Sequence, residues 1–323
     1  GEYDNYHHLR NAIGDLLLDR LADVKASHTR FRRALDIGSR YSLEALATLR
    51  AKGGVESLLQ IDSSQEVLNR TNTNHQDEHL PTISQRLHPE DNIPLHEEEF
   101  QNFDLVTSNL ALHWVNDLPT IFGQIKKSLR PDGLALVSVF GGDTLCELRD
   151  AFLVAEQERE ARVSVRVSPL IGVADAGSLL SRAQMTLTTV DVETIVVRYS
   201  DMFQLMDDLR GMGESSAAIL RGTPLKRSTL FAAAAAYKSM YGEEDGTIPA
   251  TFQVIFLTGW HPDSGQQQPK RRGSARLSLK DLDQVEDIAR EEQIRNPHKT
   301  FSLSDLGDAK TLEDDDEDPN KKT

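Results

Sequence analysis

The sequence is poor in cysteine, in aromatic residues and in positive charge. Among its 323 residues Cys146 is the one cysteine, so an internal disulfide framework and a cysteine-based zinc site are both excluded. No apolar run approaches the length of a membrane span, and we expect no membrane-spanning segment. Lysine and arginine number 36 against 51 aspartate and glutamate residues, which gives a formal net charge of −15. General nucleic-acid binding needs a basic surface, so this composition argues against it.

Positive charge is concentrated in two short segments. Arg30, Arg32 and Arg33 form the first, and Lys270–Arg272 form the second. We expect any RNA contact to be confined to these local basic patches, through phosphate groups. The acidic run Glu313–Asp318 is typical of a solvated tail.

The composition divides the chain into three predicted parts. Residues 1–33 form an N-terminal helical segment, residues 34–262 form the main domain, and residues 263–323 form a linker with a disordered, extended acidic tail. We find no internal repeat.

The stretch Ala34–Gly38 predicts a buried strand that ends in a tight turn. Leucine and alanine at helical spacing in Leu43–Lys52 predict the helix that follows. Strand, glycine turn and helix together indicate the opening of a βαβ unit, where a ligand binds at the carboxyl end of the first strand. Asp62 ends the next predicted strand, 24 residues after Gly38. It is placed either to bind ribose hydroxyls or to cap the next helix, and the two roles are compatible.

Strands and helices alternate through the rest of the domain. Further strands are predicted at 57–61, 81–87, 103–109, 134–140, 187–199 and 250–260, and further helices at 118–129, 144–159, 173–182, 201–210 and 224–241. Asp143 is expected to cap the helix at 144–159, and Gly211 to end the helix at 201–210. The pattern predicts an α/β fold: a doubly wound, Rossmann-like, mostly parallel sheet with helices on both faces, plus helical insertions.

Three histidines invite a metal-site interpretation. His75, His79 and His88 lie in polar stretches without the helical pairing of a metal site. We therefore predict no metal ligands among them, and none elsewhere in the chain.

Several motifs carry a family resemblance. The order of strand, glycine turn and helix, followed by a strand that ends in Asp, is similar to class I S-adenosylmethionine (SAM)-dependent methyltransferases. Longer matches at Ser108–Pro119, Leu129–Gly133, Phe140–Arg149, Met202–Ser215 and Ile248–Phe252 make the chain resemble the mitochondrial methyltransferase-like assembly factors of respiratory complex I. Bacterial malonyl-acyl-carrier-protein methyltransferases are their cousins. The resemblance implies a mitochondrial matrix location, a protein client and hydroxylation of an arginine in an iron–sulfur subunit of complex I.

The first glycine motif departs from the family pattern. The family has Leu-Asp-Leu-Gly-Cys-Gly-x-Gly, and here Arg40 and Ser42 stand where its second and third glycines would be. A side chain at such a turn occupies the space of the ligand. In the loop after the third strand, Pro89 stands where the family offers an acidic residue. SAM is thus the cofactor that the family implies, and the turn leaves open whether it has been lost.

The resemblance also implies site residues. Asp36, Gly38, Asp62 and Asn109 would hold the cofactor, and the residues after the fourth and fifth strands would face the substrate.

On the substrate side, His113 is either a catalytic base or a histidine packed at a strand exit. Trp114 either stacks on a substrate or fills the core. Gly141, Gly142 and Asp143 either contact a substrate or partner, or only end the strand.

Two hypotheses follow for the function. In the first, the chain is an enzyme that binds SAM and modifies a protein subunit of a mitochondrial complex, with respiratory complex I as the expected client. In the second, it is a pseudoenzyme: a degenerate methyltransferase fold that acts as a scaffold in assembling a mitochondrial complex, including the mitochondrial ribosome.

Overall fold

A computed structural model describes residues 7–24, 31–38, 41–71, 79–89, 92–216 and 224–266. The described residues as far as Ser264 belong to one compact unit. The predicted acidic tail, the basic segment Lys270–Arg272, and the residues Arg30, Arg40 and His75 lie outside the described ranges.

Within these ranges, seven strands form one sheet in the order β3-β2-β1-β4-β5-β7-β6. The strands are β1 (Arg33–Ile37), β2 (Ser57–Asp62), β3 (Thr82–Leu87), β4 (Phe103–Asn109), β5 (Leu129–Phe140), β6 (Thr186–Tyr199) and β7 (Ile248–Trp260). Strands β1 to β5 pair in parallel, whereas β7 pairs antiparallel with both β5 and β6. The predicted doubly wound, mostly parallel sheet is thus confirmed.

The helices are α1 (His8–Asp23), α2 (Leu43–Gly53), α3 (Gln65–Thr71), α4 (Leu118–Ser128), α5 (Cys146–Glu160), α6 (Val173–Arg182), α7 (Met202–Met212) and α8 (Arg227–Tyr241). Successive residues of a strand point to opposite faces of a sheet. Accordingly Leu105 belongs to the hydrophobic cluster with α1, α2, α5, α7 and α8, and the next residue, Val106, to the cluster with α4 and α6. Both faces of the sheet are therefore buried under helices. No helix in the described part of the chain is long and apolar enough to cross a membrane.

Helix α2 begins directly after the altered glycine motif. Ser42 is its N-cap, and the Ser42 hydroxyl accepts a hydrogen bond from the Ala45 amide at 3.1 Å. The φ of Ser42 is −73°, so the backbone here does not require a glycine. Gly54, with φ of 70°, ends the helix as the paired glycines predict.

Several predicted boundaries are wrong, among them the starts of α8 and β7, which begin at Arg227 and Ile248. Strand β5 begins at Leu129 because Leu129 pairs with Phe103 of β4, on the other side of a register shift from the Leu105–Leu134 pair. Helix α7 ends at Met212 with Gly213, where φ is 79°, as its C-cap, so Gly211 lies inside the helix. Helix α5 begins at Cys146 after Leu145, which has φ of 54°, so Asp143 does not cap it.

Candidate functional site

Asp36 lies inside the sheet near the carboxyl end of β1. It is fully buried, and its carboxylate accepts hydrogen bonds from Gln60 Nε2 at 3.4 Å and Thr107 Oγ1 at 3.3 Å. These partners come from the neighbouring strands β2 and β4. Burial raises the pKa of Asp36 from 3.8 to about 7, because an ionised carboxylate loses its hydration there. Asp36 therefore links β1 to both neighbouring strands through side-chain hydrogen bonds.

Gly38 and Asp62 form the rim at the ends of β1 and β2. Gly38 has φ of 91°, a conformation that favours glycine, and its amide donates to Ile61 O at 2.7 Å. Asp62 Oδ1 accepts from the Ser64 amide at 2.7 Å, and Ser64 Oγ accepts from the Val67 amide at 3.4 Å. Ser64 thus takes the capping role in α3 that we considered for Asp62.

Asn109, at the end of β4, is tied to helix α1. Its Nδ2 donates to Arg10 O at 3.1 Å, and its Oδ1 accepts from Ser138 Oγ at 2.9 Å. A Cβ at Gly14 would lie 2.9 Å from Asn109 Nδ2 and 3.5 Å from a ring carbon of Tyr41. Helix α1 therefore packs closely over the end of β4.

A cavity of about 540 Å³ opens beyond the ends of β4 and β5. His113 and Trp114 line it; they belong to a short 3₁₀ helix, Leu112–Trp114, that follows β4. The His113 side chain is 5% exposed, and its Nε2 lies 3.0 Å from Oε2 of Glu214, whose side chain is 10% exposed. His113 Nδ1 and Trp114 Nε1 are buried without a hydrogen-bond partner in the described structure. The cavity therefore contains the His113–Glu214 pair and two buried nitrogen atoms, His113 Nδ1 and Trp114 Nε1, without a hydrogen-bond partner in the described structure.

The walls of the cavity are aromatic and aliphatic. The ring centroids of His113 lie 5.1 Å from Phe140 and 5.8 Å from Trp114, and Phe140 lies 5.9 Å from Phe252. Such rings accept both apolar groups and flat cations. The other described lining residues are Thr144, Leu145, Leu148, Phe152, Val165, Arg166, Val167, Ser168, Leu170, Met206, Leu209, Arg210, Ser215, Ser216, Pro224 and Leu225.

Gly141 and Asp143 are bound to strand β7, the Gly142 amide donates to Ile171 O at 3.0 Å, and none of the three lines the cavity. The Gly141 amide donates to Gln253 O at 2.8 Å, and Asp143 Oδ2 accepts from Gln253 Nε2 at 2.7 Å. A Cβ at Gly141 would lie 2.3 Å from Gln253 Oε1. Gly141 and Asp143 thus pack against β7, and Thr144 and Leu145 next to them reach the cavity.

The predicted site residues thus fall into two groups. Asp36, Gly38, Asp62 and Asn109 lie at the ends of β1, β2 and β4, and His113 and Trp114 lie in the cavity. Gly38 keeps the glycine conformation and Asp62 stays at the end of β2, so these two residues fit the ribose end of SAM. Asp36 and Asn109 are buried and bonded to neighbouring elements of the protein.

The sequence analysis did not predict that Glu214 contacts His113 or that Arg10 contacts Asn109 and Met212. Arg10 donates to Met212 O at 2.7 Å, and its carbonyl accepts from Asn109. Glu214 lies 101 residues from His113, so local pattern could not pair them. The available signal was an acidic residue in a glycine-flanked turn, Gly213–Ser215, within a motif already matched to the family.

The other candidate residues have structural partners. His88 Nδ1 lies 3.0 Å from Pro89 O. Among the described residues no group of three or more His, Cys, Asp or Glu side chains is placed to hold a metal ion. Of the first basic patch, Arg32 lies 3.9 Å from Glu56, and the Arg33 guanidinium lies 5.1 Å from the ring centroid of Phe103.

Comparisons with known proteins give the family context of this geometry. Residues 35–137 match the model of a methyltransferase domain. Arginine-hydroxylase NDUFAF5, mitochondrial, of Danio rerio is 40% identical over 87% of this chain and 83% of its own length. The protein of the same name in Dictyostelium discoideum is 41% identical over 86% of this chain, which spans 65% of that relative.

A solved structure supports the fold. The YcgJ protein from Bacillus subtilis aligns with a TM-score of 0.51 at 12% identity, covering 77% of this chain and all of the other. At this identity the likeness shows the fold alone.

Proposed function

The chain belongs to the family of the mitochondrial arginine hydroxylase NDUFAF5, and on this premise we propose that it hydroxylates an arginine of a client protein. It is a mitochondrial protein with a methyltransferase domain. The client proposed from the family role is a subunit of respiratory complex I, so the protein acts as an assembly factor for that complex.

The observation that carries the proposal is the cavity at the ends of β4 and β5. It combines a carboxylate, Glu214, with aromatic walls, and it has an opening through which a side chain can enter. Ligand sites of doubly wound sheets lie at these strand ends. A cavity of about 540 Å³ is within the range of small-ligand pockets and accommodates one long side chain with its peptide groups.

The reaction sets clear chemical requirements. Hydroxylation converts a C–H bond of the side chain to C–OH and removes two electrons from the substrate. With dioxygen as oxidant, one oxygen atom enters the product, and the other leaves as water after a reductant supplies two electrons and two protons. We assign the described cavity residues to binding and orienting the arginine, which fixes the carbon that reacts.

We further propose that the chain binds SAM. Gly38 would let the cofactor approach the backbone, and Asp62 would face the ribose hydroxyls. When bound, SAM supplies an activated methyl group on a sulfonium. The negative φ of Ser42 supports retention of the site, because the backbone at that position does not depend on glycine.

The test of the reaction uses cells that lack the protein. They are complemented with the natural chain, with Glu214→Gln, or with the matched control Glu243→Gln, a surface carboxylate paired with Arg198 outside the cavity lining. Mass spectrometry of isolated complex I then measures arginines that carry one added oxygen atom. We expect the modification with the natural chain and the control, and its strong reduction with Glu214→Gln.

Assembly measured in the same cells separates the enzyme from the scaffold. Complex I that assembles with no hydroxylated arginine in any subunit would refute the enzymatic proposal and favour the scaffold hypothesis. If both assembly and hydroxylation require the natural cavity, the modification itself serves assembly.

Calorimetric titration with SAM tests the cofactor. The natural chain is compared with Asp62→Ala and with the double variant Arg40→Gly, Ser42→Gly. Saturable binding that Asp62→Ala weakens supports the assignment. Binding by the double variant alone would mean that the altered turn has closed the site.

A further inference from the structure

We infer that an exposed aromatic pair beside the cavity, Phe203 of α7 and Phe231 of α8, is the docking surface for an apolar side chain of the client protein, close in sequence to its target arginine. This inference rests on the proposed function and adds the surface that recognises the sequence around the arginine. Together with Met206, the two phenylalanines form what we call the α7–α8 patch.

The two aromatic side chains of the patch are exposed although both are large and apolar. Phe203 is 37% exposed and Phe231 is 61% exposed. Their ring centroids lie 5.8 Å apart with an interplanar angle of 61°, which is the edge-to-face arrangement that aromatic pairs favour. Aromatic residues are enriched at protein interfaces, and adjacent exposed apolar side chains mark interaction sites. The pair therefore presents a preformed apolar surface to a partner.

The patch continues along α7 into the wall of the cavity. Phe203, Met206 and Arg210 are spaced by three and four residues, so they lie on one face of the helix. Met206 and Arg210 both line the cavity. Seven residues of helix separate Phe203 from Arg210, a distance of about 10 Å along the helix axis.

Helix α8 brings the second phenylalanine to the same side of the cavity. Leu225, just before α8, lines the cavity, and Phe231 lies in the second turn of the helix, which begins at Arg227. An extended peptide advances about 3.3 Å per residue. A client chain with its arginine in the cavity therefore reaches the patch with a residue about three positions away from that arginine.

The charges around the patch favour acidic residues in the same client segment. Arg227 and Lys238 are exposed and lie on the face of α8 that carries Phe231, four residues before it and seven after it. On the α7 side, Asp207 forms an ion pair within the helix, and the Asp201 carboxylate accepts hydrogen bonds from the first amides of the helix. The exposed cations therefore attract a segment that combines an apolar side chain with acidic neighbours.

The experiment places a photo-crosslinking amino acid on the patch of the full chain. Cells that lack the protein are complemented with the chain that carries p-benzoyl-phenylalanine in place of Phe231, or in place of Met240 as the matched control. Met240 is also an exposed residue of α8, at 43%, but nine residues on it lies on the opposite side of the helix. After irradiation, mass spectrometry identifies the crosslinked peptides. We expect the probe at position 231 to reach a complex I subunit within about five residues of an arginine, at a yield at least about fivefold above the control.

A double variant tests the patch without a crosslinker. In the same cells we expect Phe203→Ser, Phe231→Ser to lower the hydroxylated fraction of the arginine at least about fivefold, because truncation of aromatic anchors removes much of the affinity of an interface. Met240→Ser should leave that fraction unchanged. The melting temperatures of the purified variants check that both are folded, and the crosslinking result does not depend on either of them.

Several outcomes would overturn the inference. Crosslinks from position 231 that reach only this chain or a second copy of it would show that another occupant covers the patch. A yield equal to the control, subunit peptides without a nearby arginine, or full hydroxylation with the folded double variant would also overturn it. Failure of the proposed function is distinguishable: position 231 would crosslink beside an arginine that carries no added oxygen atom, which supports the docking surface and refutes hydroxylation.

Discussion

Replacing Gly141 by alanine places a methyl group against strand β7. The added Cβ would lie 2.3 Å from Gln253 Oε1, 2.9 Å from Gln253 Cδ and 3.0 Å from Ile255 Cδ1. Gln253 is held in place because its Nε2 donates to Asp143 and its Oε1 accepts from the Asp143 amide. The Gln253 side chain must therefore break both hydrogen bonds to Asp143 to make room for the methyl group.

Two costs add up in this variant. Overpacking in a well-filled region costs about 1–3 kcal/mol, and each lost hydrogen bond costs about 1 kcal/mol. We expect Gly141→Ala to lower the free energy of unfolding by about 3–5 kcal/mol. In a domain of this size the melting temperature would fall by roughly 6–20 °C.

The assay is urea unfolding followed by circular dichroism, with Gly142→Ala as the matched control. A Cβ at Gly142 would meet its nearest atoms, the carbonyl oxygens of Ile171 and Leu170, at 3.8 Å, which is ordinary contact. Adding Gln253→Ala to Gly141→Ala should recover part of the loss, by about 1–2 kcal/mol of coupling. Equal stability of the two alanine variants would refute the packing account and return Gly141 to the candidates for partner contact.

Variants at Ser42, Asp36 and Arg10 test other parts of the fold. Ser42→Ala should destabilise the protein by about 1 kcal/mol because it removes the cap of α2, whereas Ser42→Gly should cost only a few tenths; equal effects in thermal melts would contradict the capping role. Burial raises the pKa of Asp36 from 3.8 to about 7. Between these two pH values the unfolded chain has released the Asp36 proton and the folded chain still holds it, so the natural protein loses stability as the pH rises from about 4 to about 7. Asp36→Asn should remove up to about 4 kcal/mol of this loss, so its stability relative to the natural protein rises from pH 4 to 8; parallel pH profiles would disprove the shift. Arg10→Met should speed amide hydrogen exchange in the last turn of α7, because the bond to Met212 is lost, and Arg20→Met at the far end of α1 should not; no difference between them would contradict the bond.

Much of the fold could be predicted from the sequence. Buried strands such as β1 and β4 are short apolar runs bounded by turns, and the motif matches gave the family, which the relatives confirmed. The predicted mitochondrial location was confirmed by the same relatives. These features depend on local patterns or on motifs, which a single chain displays directly.

The predicted boundaries of strands and helices were wrong where tertiary contacts override the local sequence pattern. The turn residues 130–133 predicted a break, but Arg130 forms an ion pair with Asp104 at 2.7 Å and the Gly133 carbonyl accepts from the His261 amide. These partners draw the segment into strand β5. Asp143 likewise has the residue type of a helix cap, but its carboxylate binds Gln253 instead.

The site was only partly predictable for the same reason. His113 and Trp114 follow a strand, so their place at the sheet edge follows from topology. The partner of His113 follows from no local pattern, because Glu214 comes from an insertion between β6 and β7. The link from Asn109 to Arg10 depends on how α1 packs, which the helical periodicity of α1 does not specify.

The position of β7 in the sheet has a consequence for how the chain folds during synthesis or import. β7 is the last described strand in the chain, yet it lies between β5 and β6 in the sheet. A chain that stopped just before Ile248 would contain six of the seven described strands, but β6 would have no strand to pair with. During synthesis or import, β6 therefore emerges before β7, and until β7 follows, the backbone N–H and C=O groups of β6 have no neighbouring strand to pair with. Unpaired strand edges favour non-native pairing, so the interval between the two strands is a period in which the chain is exposed to misfolding.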